Sequence, residues 1–405
     1  MTALRRQYFF SYAAIGGVMP LATVFLREQG GFDFLHIGLA MALMGAPTLC
    51  SPALLTLLAD RNLDPRRILA AASAGSALVL SAMFLSRDSA ATLALFFLHG
   101  LSSVAMLPLQ DGYYFSLAEE RRRLGEGVPE YPKVRLWGTL GYMLPSLILY
   151  YPLYRGAGVG TILPCAVVFN LLSLLNSFTL APVAKARRTG MRLPSGEALR
   201  TLLAPNVRWL CLGLLFAYFA AATYYSFIGN YLDEVVGVPR PCVALVIQLG
   251  VLVEVGCTLL MPWLQRLIHL KGIMVLGLCC MVTRMALLSF FPSIPVAVLV
   301  QFGHGFEVLA LYVGPIMFLN RLAGDGFRSS IQGVFTMAVG GTARVTGCLT
   351  AGLVASHSGL GTTLLLGASL GTCSLFVIAF LFSRIPPREE LREMAATPGP
   401  ANGGG

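Results

Sequence analysis

Arg284, His304 and Glu307 are the residues whose types and spacing could handle a proton. Each interrupts a long apolar run, Arg284 within residues 273–291 and the other two within residues 295–319. His304 and Glu307 stand three residues apart, so on a helix they share one face. A charge at the centre of a bilayer costs about 2.5–3.5 kcal/mol on insertion scales, so these groups must face a polar interior. Burial disfavours a charged carboxylate, whereas an approaching guanidinium favours it. A glutamate and an arginine that meet and separate would therefore release and take up a proton. The plainer alternative is a static polar network that glues helices together.

Other polar residues lie equally deep. Asp111, in the stretch PLQD, and Arg135, which opens RLWGTLGYM, flank a polar loop. Tyr142 follows Arg135 by seven residues, two helical turns, and shares its face. An arginine offers a two-pronged fork to a carboxylate or a hydroxyl pair, and an aromatic ring offers a face to a sugar or a base. Gly138 and Gly141 permit a close helix approach. Glu254 and Arg344 also lie in apolar surroundings, and pairing of either with His304 is an open alternative.

These residues need long helices to position them. The chain has 405 residues, 56% of them hydrophobic and only 12% charged, with a mean hydropathy of +0.73. Soluble domains carry about 25% charged residues, so this composition specifies a polytopic membrane protein. Apolar runs predict twelve spans, near 8–27, 34–58, 67–86, 91–116, 133–155, 160–181, 207–231, 240–264, 272–291, 295–319, 329–355 and 360–383. The first run lacks a small-residue cleavage site and reads as the first span, not as a removed leader.

Charge sets an expected orientation. With both termini cytoplasmic, 22 Lys and Arg fall on inside segments and four on outside loops, Arg27, Arg87, Arg155 and Arg240. That asymmetry, not nucleic acid, accounts for the net charge of +10. The expected organisation is an N-terminal six-helix bundle at 1–182 and a basic cytoplasmic linker at 183–206. A C-terminal six-helix bundle at 207–384 and a disordered tail at 385–405 follow. The nine cysteines show no metal-type spacing and read as free thiols. No P-loop, H-E-x-x-H or G-x-S-x-G is present, which removes support for ATP hydrolysis and the usual hydrolases.

Two motifs carry a family resemblance. The corner LLADRNLDPRRIL, with Asp60, Arg61, Arg66 and Arg67, resembles the conformational latch of the major facilitator superfamily, with Thr56 and Asp64 in place of its glycines. Its counterpart in the second half, LQRLIHLKG, keeps Arg266 and Lys271 but has Gln265 where the acid would be. The stretch from Asp111 through RLWGTLGY looks like helices 4 and 5 of the lactose permease branch and its phenylpropionate-permease-like and nucleoside-permease-like relatives. In register with it, Arg284, His304 and Glu307 reproduce the proton-coupling spacing of lactose permease.

The resemblance implies an all-α fold of twelve transmembrane helices in two six-helix bundles. It implies that Asp111, Arg135 and Tyr142 bind solute and that Arg284, His304 and Glu307 couple protons. Glu254 lies near the position of a substrate-facing asparagine. Two Asp–Lys pairs of lactose permease are absent together, with Ala222, Tyr225, Gln301 and Gly340 in their places. The implied function is proton-coupled symport of a sugar or nucleoside by alternating access in the bacterial inner membrane. The expected partners are the solute, protons and the lipid bilayer, with no nucleic acid. No cofactor is expected beyond the proton gradient, and the working unit is a monomer. The alternatives are symport of an aromatic carboxylate and, from a different class, a non-transporting membrane sensor.

Overall fold

The computed structural model describes residues 1–29, 31–51, 64–86, 88–104, 106–182, 196–205, 207–322 and 328–383. Among these residues there are helices and no strands. In a bilayer that is expected, because a helix satisfies its backbone hydrogen bonds within itself. Among the described residues, twelve long helical segments follow in order. They are α1 (2–29), α2 (Phe34–Leu49), α3 (Pro65–Leu85), α4 (89–104, resuming at 106–123), α5 (Tyr131–Tyr154) and α6 (Val159–Ser177). Then come α7 (Val207–Val235), α8 (240–268), α9 (270–290), α10 (294–322), α11 (328–358) and α12 (360–381). A short helix, Gly196–Leu202, precedes α7.

Where the helices end depends on backbone chemistry that hydropathy does not record. The expected fourth span stops at 116, yet α4 runs to Arg123. Its last turns are polar but remain helical until Gly125, whose φ is +72°. There the Glu126 N–H donates to the Arg121 carbonyl and the Gly125 N–H to the Arg122 carbonyl, which caps the helix end. Between α8 and α9 the expected loop shrinks to a single non-helical residue, His269, with φ +54°. Gly359, at φ +85°, divides α11 from α12 in the same way. The end of the expected second span, with Asp60 and Arg61, lies outside the described residues. So do most of the expected linker (183–195 and 206) and the expected tail.

Within the first six helices, α1 packs on α5 and α6, and α3 packs on α4 and α6. Within the last six, α7 packs on α11 and α12, and α10 packs on α8 and α9. Two helix pairs join the halves along their length, α2 with α11 and α5 with α8. Helices in lipid gain most from close van der Waals approach, so small residues mark their contacts. Gly141 of α5 lies against the Phe9 carbonyl of α1, where a Cβ would overlap it. Gly38 of α2 meets Gly352 of α11, and a side chain at either position would push the two halves apart.

At one end the halves are also joined by charge. Arg240, at the start of α8, donates to Glu28 of α1 (2.8 Å) and to Asp233 of α7 (3.3 Å). Arg27 of α1 pairs with Glu234 of α7 at 3.5 Å. The Asn230 amide donates to the Thr23 carbonyl at 3.4 Å, so side chain and backbone close the same seam.

Candidate functional site

The second half holds a buried polar cluster built by α7, α9 and α10. Arg284 is 3% exposed and Glu307 1%, and the two form an ion pair. α7 supplies adjacent tyrosines that complete it. The Tyr225 hydroxyl donates to Glu307 at 2.8 Å, and Arg284 donates to the Tyr224 hydroxyl at 2.8 Å and to Gln301 Oε1 at 3.4 Å. Around these residues α10 departs from regular helix. A 3₁₀ turn, Val300–Gly303, precedes His304, and a π turn, Leu309–Val313, follows Val308. Such irregular turns occur often at functional sites, because they redirect side chains without ending the helix.

The contact with Arg284 favours one tautomer of His304. Arg284 Nη1 lies 3.3 Å from His304 Nδ1, and a guanidinium can only donate, so Nδ1 accepts. The ring proton of the neutral imidazole is then on Nε2. That nitrogen faces Glu254 Oε2 of α8 at 3.7 Å. Glu254 keeps a third of its side chain exposed, so it stands between the buried cluster and the space between the halves.

The first half contributes a second cluster. Asp111 of α4 accepts from the Tyr8 hydroxyl of α1 at 2.6 Å, and Tyr131 faces the same carboxylate. The guanidinium of Arg135 sits 4.1 Å from the centre of the Tyr12 ring, a cation–π contact. Asp111 and Arg135 thus occupy one region but are held by different tyrosines of α1. Glu254 belongs to α8, which packs on α5 of the first half, the helix that carries Arg135 and Tyr142. Behind it, Gln248 of α8 donates to Ser146 Oγ of α5 at 3.0 Å and to the Tyr142 carbonyl at 3.4 Å.

Arg344 belongs to neither cluster. Its side chain runs along Gly45 of α2, and among the described residues it makes no hydrogen bond or ion pair, with His304 or any other group. The latch corner is described only from Asp64 onward. Asp64 caps α3 by accepting from the Arg66 backbone N–H at 3.0 Å, and its carboxylate also accepts from the Arg66 side chain at 2.5–3.1 Å. Arg66 then donates to the Leu180 carbonyl beyond α6 at 3.1 Å, tying α3 to its neighbour, while Arg67 is exposed. Asp64, standing where the family motif has glycine, therefore holds the arginine that makes the contact. His99 Nδ1 lies 3.2 Å from Ser76 Oγ.

Tyr8, Tyr12, Tyr224 and Tyr312 escaped the sequence reading, and Tyr225 and Gln301 entered it only as the places of a missing acid and a missing lysine. One signal was available, the pair Tyr224–Tyr225 inside an otherwise apolar and small-residue helix. The pairing of Tyr8 with Asp111 spans 103 residues and left no local trace.

The nucleoside permease NupG of Escherichia coli is 23% identical over 353 residues, covering 80% of this chain and 79% of that protein. A probable 3-phenylpropionic acid transporter of the same organism is 27% identical over 303 residues, covering 73% and 75%. The maltose permease of Geobacillus stearothermophilus is 28% identical over 225 residues, covering 54% of this chain and 51% of that protein. The crystal structure of NupG superposes with a TM-score of 0.81 over 95% of this chain and 99% of that one, at 17% identity, which shows a shared fold. The model of the MFS_1 like family matches residues 1–366, and the chain belongs to that family, as a multi-pass membrane transporter with the major facilitator fold.

Proposed function

We propose that this protein is a proton-coupled symporter for a small polyhydroxylated solute, sugar-like or nucleoside-like, working by alternating access. One observation carries the reading. Glu254 lies 3.7 Å from His304 of the proton-handling cluster, on a helix, α8, that packs on α5 of the other half, which carries Arg135 and Tyr142. A solute held between the halves would meet carboxylates that accept from hydroxyls, Asp111 and Glu254, and a guanidinium fork, Arg135. Tyr142 would offer its ring. The names of the related permeases support this class.

The proton step follows from the chemistry of the cluster. In the state described, Glu307 accepts hydrogen bonds from Arg284 and Tyr225, the arrangement of a carboxylate. Adding a proton to Glu307 removes the charge that holds Arg284. The guanidinium would then rely on Tyr224 and Gln301, and the packing of α9 against α10 would loosen. A proton entering from the solute side would pass Glu254 and the Nε2 face of His304. The working unit is a monomer in the bacterial plasma membrane with both termini cytoplasmic, and the 22-to-4 charge asymmetry supports that orientation.

A second reading, symport of an aromatic carboxylate, is favoured by the lack of a carboxylate partner for Arg135 within 4 Å among the described residues. Proteoliposomes with a pH-sensitive dye test the main proposal. Adding a transported solute outside should alkalinise the medium as protons enter with it. If solute crosses with no proton movement at any pH, symport is wrong and facilitated diffusion or exchange replaces it. Counterflow with labelled sugars, nucleosides and aryl acids separates the two readings, because an acid should make Asp111 dispensable and Arg135 indispensable.

A further inference from the structure

Among the charged residues deep in the structure, Arg344 is the one whose chemistry the two clusters leave unused. It lies on α11, well inside the chain's last apolar stretch. A guanidinium is charged at any physiological pH, so its position is tolerable only if its donors meet water, an acceptor or a ligand. The carboxylates of the two clusters are committed elsewhere. Glu307 is held by Arg284 and Tyr225, Glu254 faces His304, and Asp111 is bonded to Tyr8 in the other half.

The surroundings of Arg344 are shaped as a slot. Gly45 of α2 lets the side chain pass: a Cβ there would stand 3.0–3.2 Å from Nε, Cδ and Cγ of Arg344. Gly340, one helical turn before Arg344 on the same face, has open space where a side chain would be. Tyr312 of α10 is 46% exposed, and its ring lies 5.8 Å from that of Tyr218 of α7.

We infer that Arg344 is an anion subsite that selects solutes carrying a carboxylate or phosphate group, on the floor made by Gly45 and beside Tyr312. The inference rests on the solute-transporter reading above and deepens it. Asp111 and Glu254 accept from hydroxyls at one end of the solute, and Arg344 donates to its oxyanion at the other. Such a ligand is a hydroxylated acid, for example a sugar acid. Its position at the α2–α11 seam would also let the bound anion draw the two halves together, since Arg344 belongs to one half and Gly45 to the other.

Matched pairs of solutes test this on the full chain in proteoliposomes: glucuronate against glucose, 3-phenylpropionate against 3-phenylpropanol, and uridine monophosphate against uridine. In the unaltered protein the anionic member of at least one pair should be taken up at about tenfold lower concentration than its neutral partner, the range set by a charge-assisted hydrogen bond. Which pair responds separates a carboxylate from a phosphate. Arg344→Gln should abolish that preference and leave uptake of the neutral member within about threefold, while Arg344→Lys should restore part of it. Gly45→Ala, which crowds the slot without removing charge, should weaken the anion selectively. Equal loss of charged and neutral uptake in folded Arg344→Gln overturns the subsite, as does preference for the neutral member of every pair in the unaltered protein. In both cases continued neutral uptake by the unaltered protein leaves the transporter reading standing. Absence of uptake of all six solutes counts against both.

Discussion

Glu307 of α10 holds Arg284 of α9 in an ion pair that is almost fully shielded from solvent. A pair at this depth is not a convincing source of stability, because desolvation of both ions offsets their attraction. Its value lies in the consequence of breaking it. Removing one partner leaves the other charged and buried, at a cost of about 3–5 kcal/mol. A protein that must pass between two arrangements can use this asymmetry, since protonating Glu307 separates the pair without stranding a carboxylate.

Glu307→Gln should therefore separate coupling from binding. Proton-driven uptake is expected to fall at least about tenfold, the effect of about 1.4 kcal/mol, while exchange of internal for external solute persists. Substrate-induced alkalinisation and counterflow, measured on the same vesicles, check this. Arg284→Gln should do more damage, lowering the melting temperature as well as uptake, because Glu307 is left with Tyr225 alone.

Tyr225→Phe removes the second hydrogen bond to Glu307 and the hydroxyl 3.3 Å from His304 Nδ1, while keeping the ring. A hydrogen bond to a charged group is worth about 1.5–3 kcal/mol, so uptake at saturating solute should slow by about ten- to a hundredfold. Equilibrium solute binding without a gradient should change little. Parallel loss of binding would show that Tyr225 touches the solute and not only the proton site.

The charged seam at the far ends of α1, α7 and α8 should bias which way the protein faces. Arg27 and Arg240 are two of the four basic residues expected outside, where arginine is otherwise scarce. Exposed pairs contribute about 0.2–1 kcal/mol each, so Arg240→Gln, which breaks the pair with Glu28 across the halves, should shift the ratio of closed to open ends by up to about fivefold. Spin labels on α1 and α8 beyond the seam would report a longer distance. No change in the distance distribution would mean that glycine contacts alone close this end.

The corner of α3 gives a pH dependence whose sign follows from Asp64. Its hydrogen bonds from the Arg66 side chain hold the carboxyl below its usual value, with the backbone N–H of Arg66 adding to the effect. A group depressed in the folded state contributes stability above its unfolded value, about 3.9 for Asp. That contribution is lost as pH falls through the lower folded value. Asp64→Asn should thus melt below the unaltered protein at pH 7, and the gap should close under strongly acidic conditions. Because the corner is partly exposed, the difference corresponds to about 1 kcal/mol at most. Thermal melts in detergent across that pH range measure it.

The sequence alone determined that this chain crosses a membrane many times. It did so because burial in lipid demands long apolar runs and leaves each intruding charge conspicuous. Arg284, His304, Glu307, Glu254 and Arg344 were all legible for that reason, and helical spacing placed His304 and Glu307 on one face. Partners were not legible, since spacing within a helix says nothing about which helix stands opposite. Only the tertiary structure put Tyr225 on Glu307, turned the Nε2 face of His304 toward Glu254, and joined Asp111 to Tyr8 from 103 positions away. It also separated Arg344 from the histidine with which the sequence allowed it to pair, and laid it along Gly45 of the other half. The helix ends at Gly125, His269 and Gly359 were likewise decided by backbone conformation, to which hydropathy is blind.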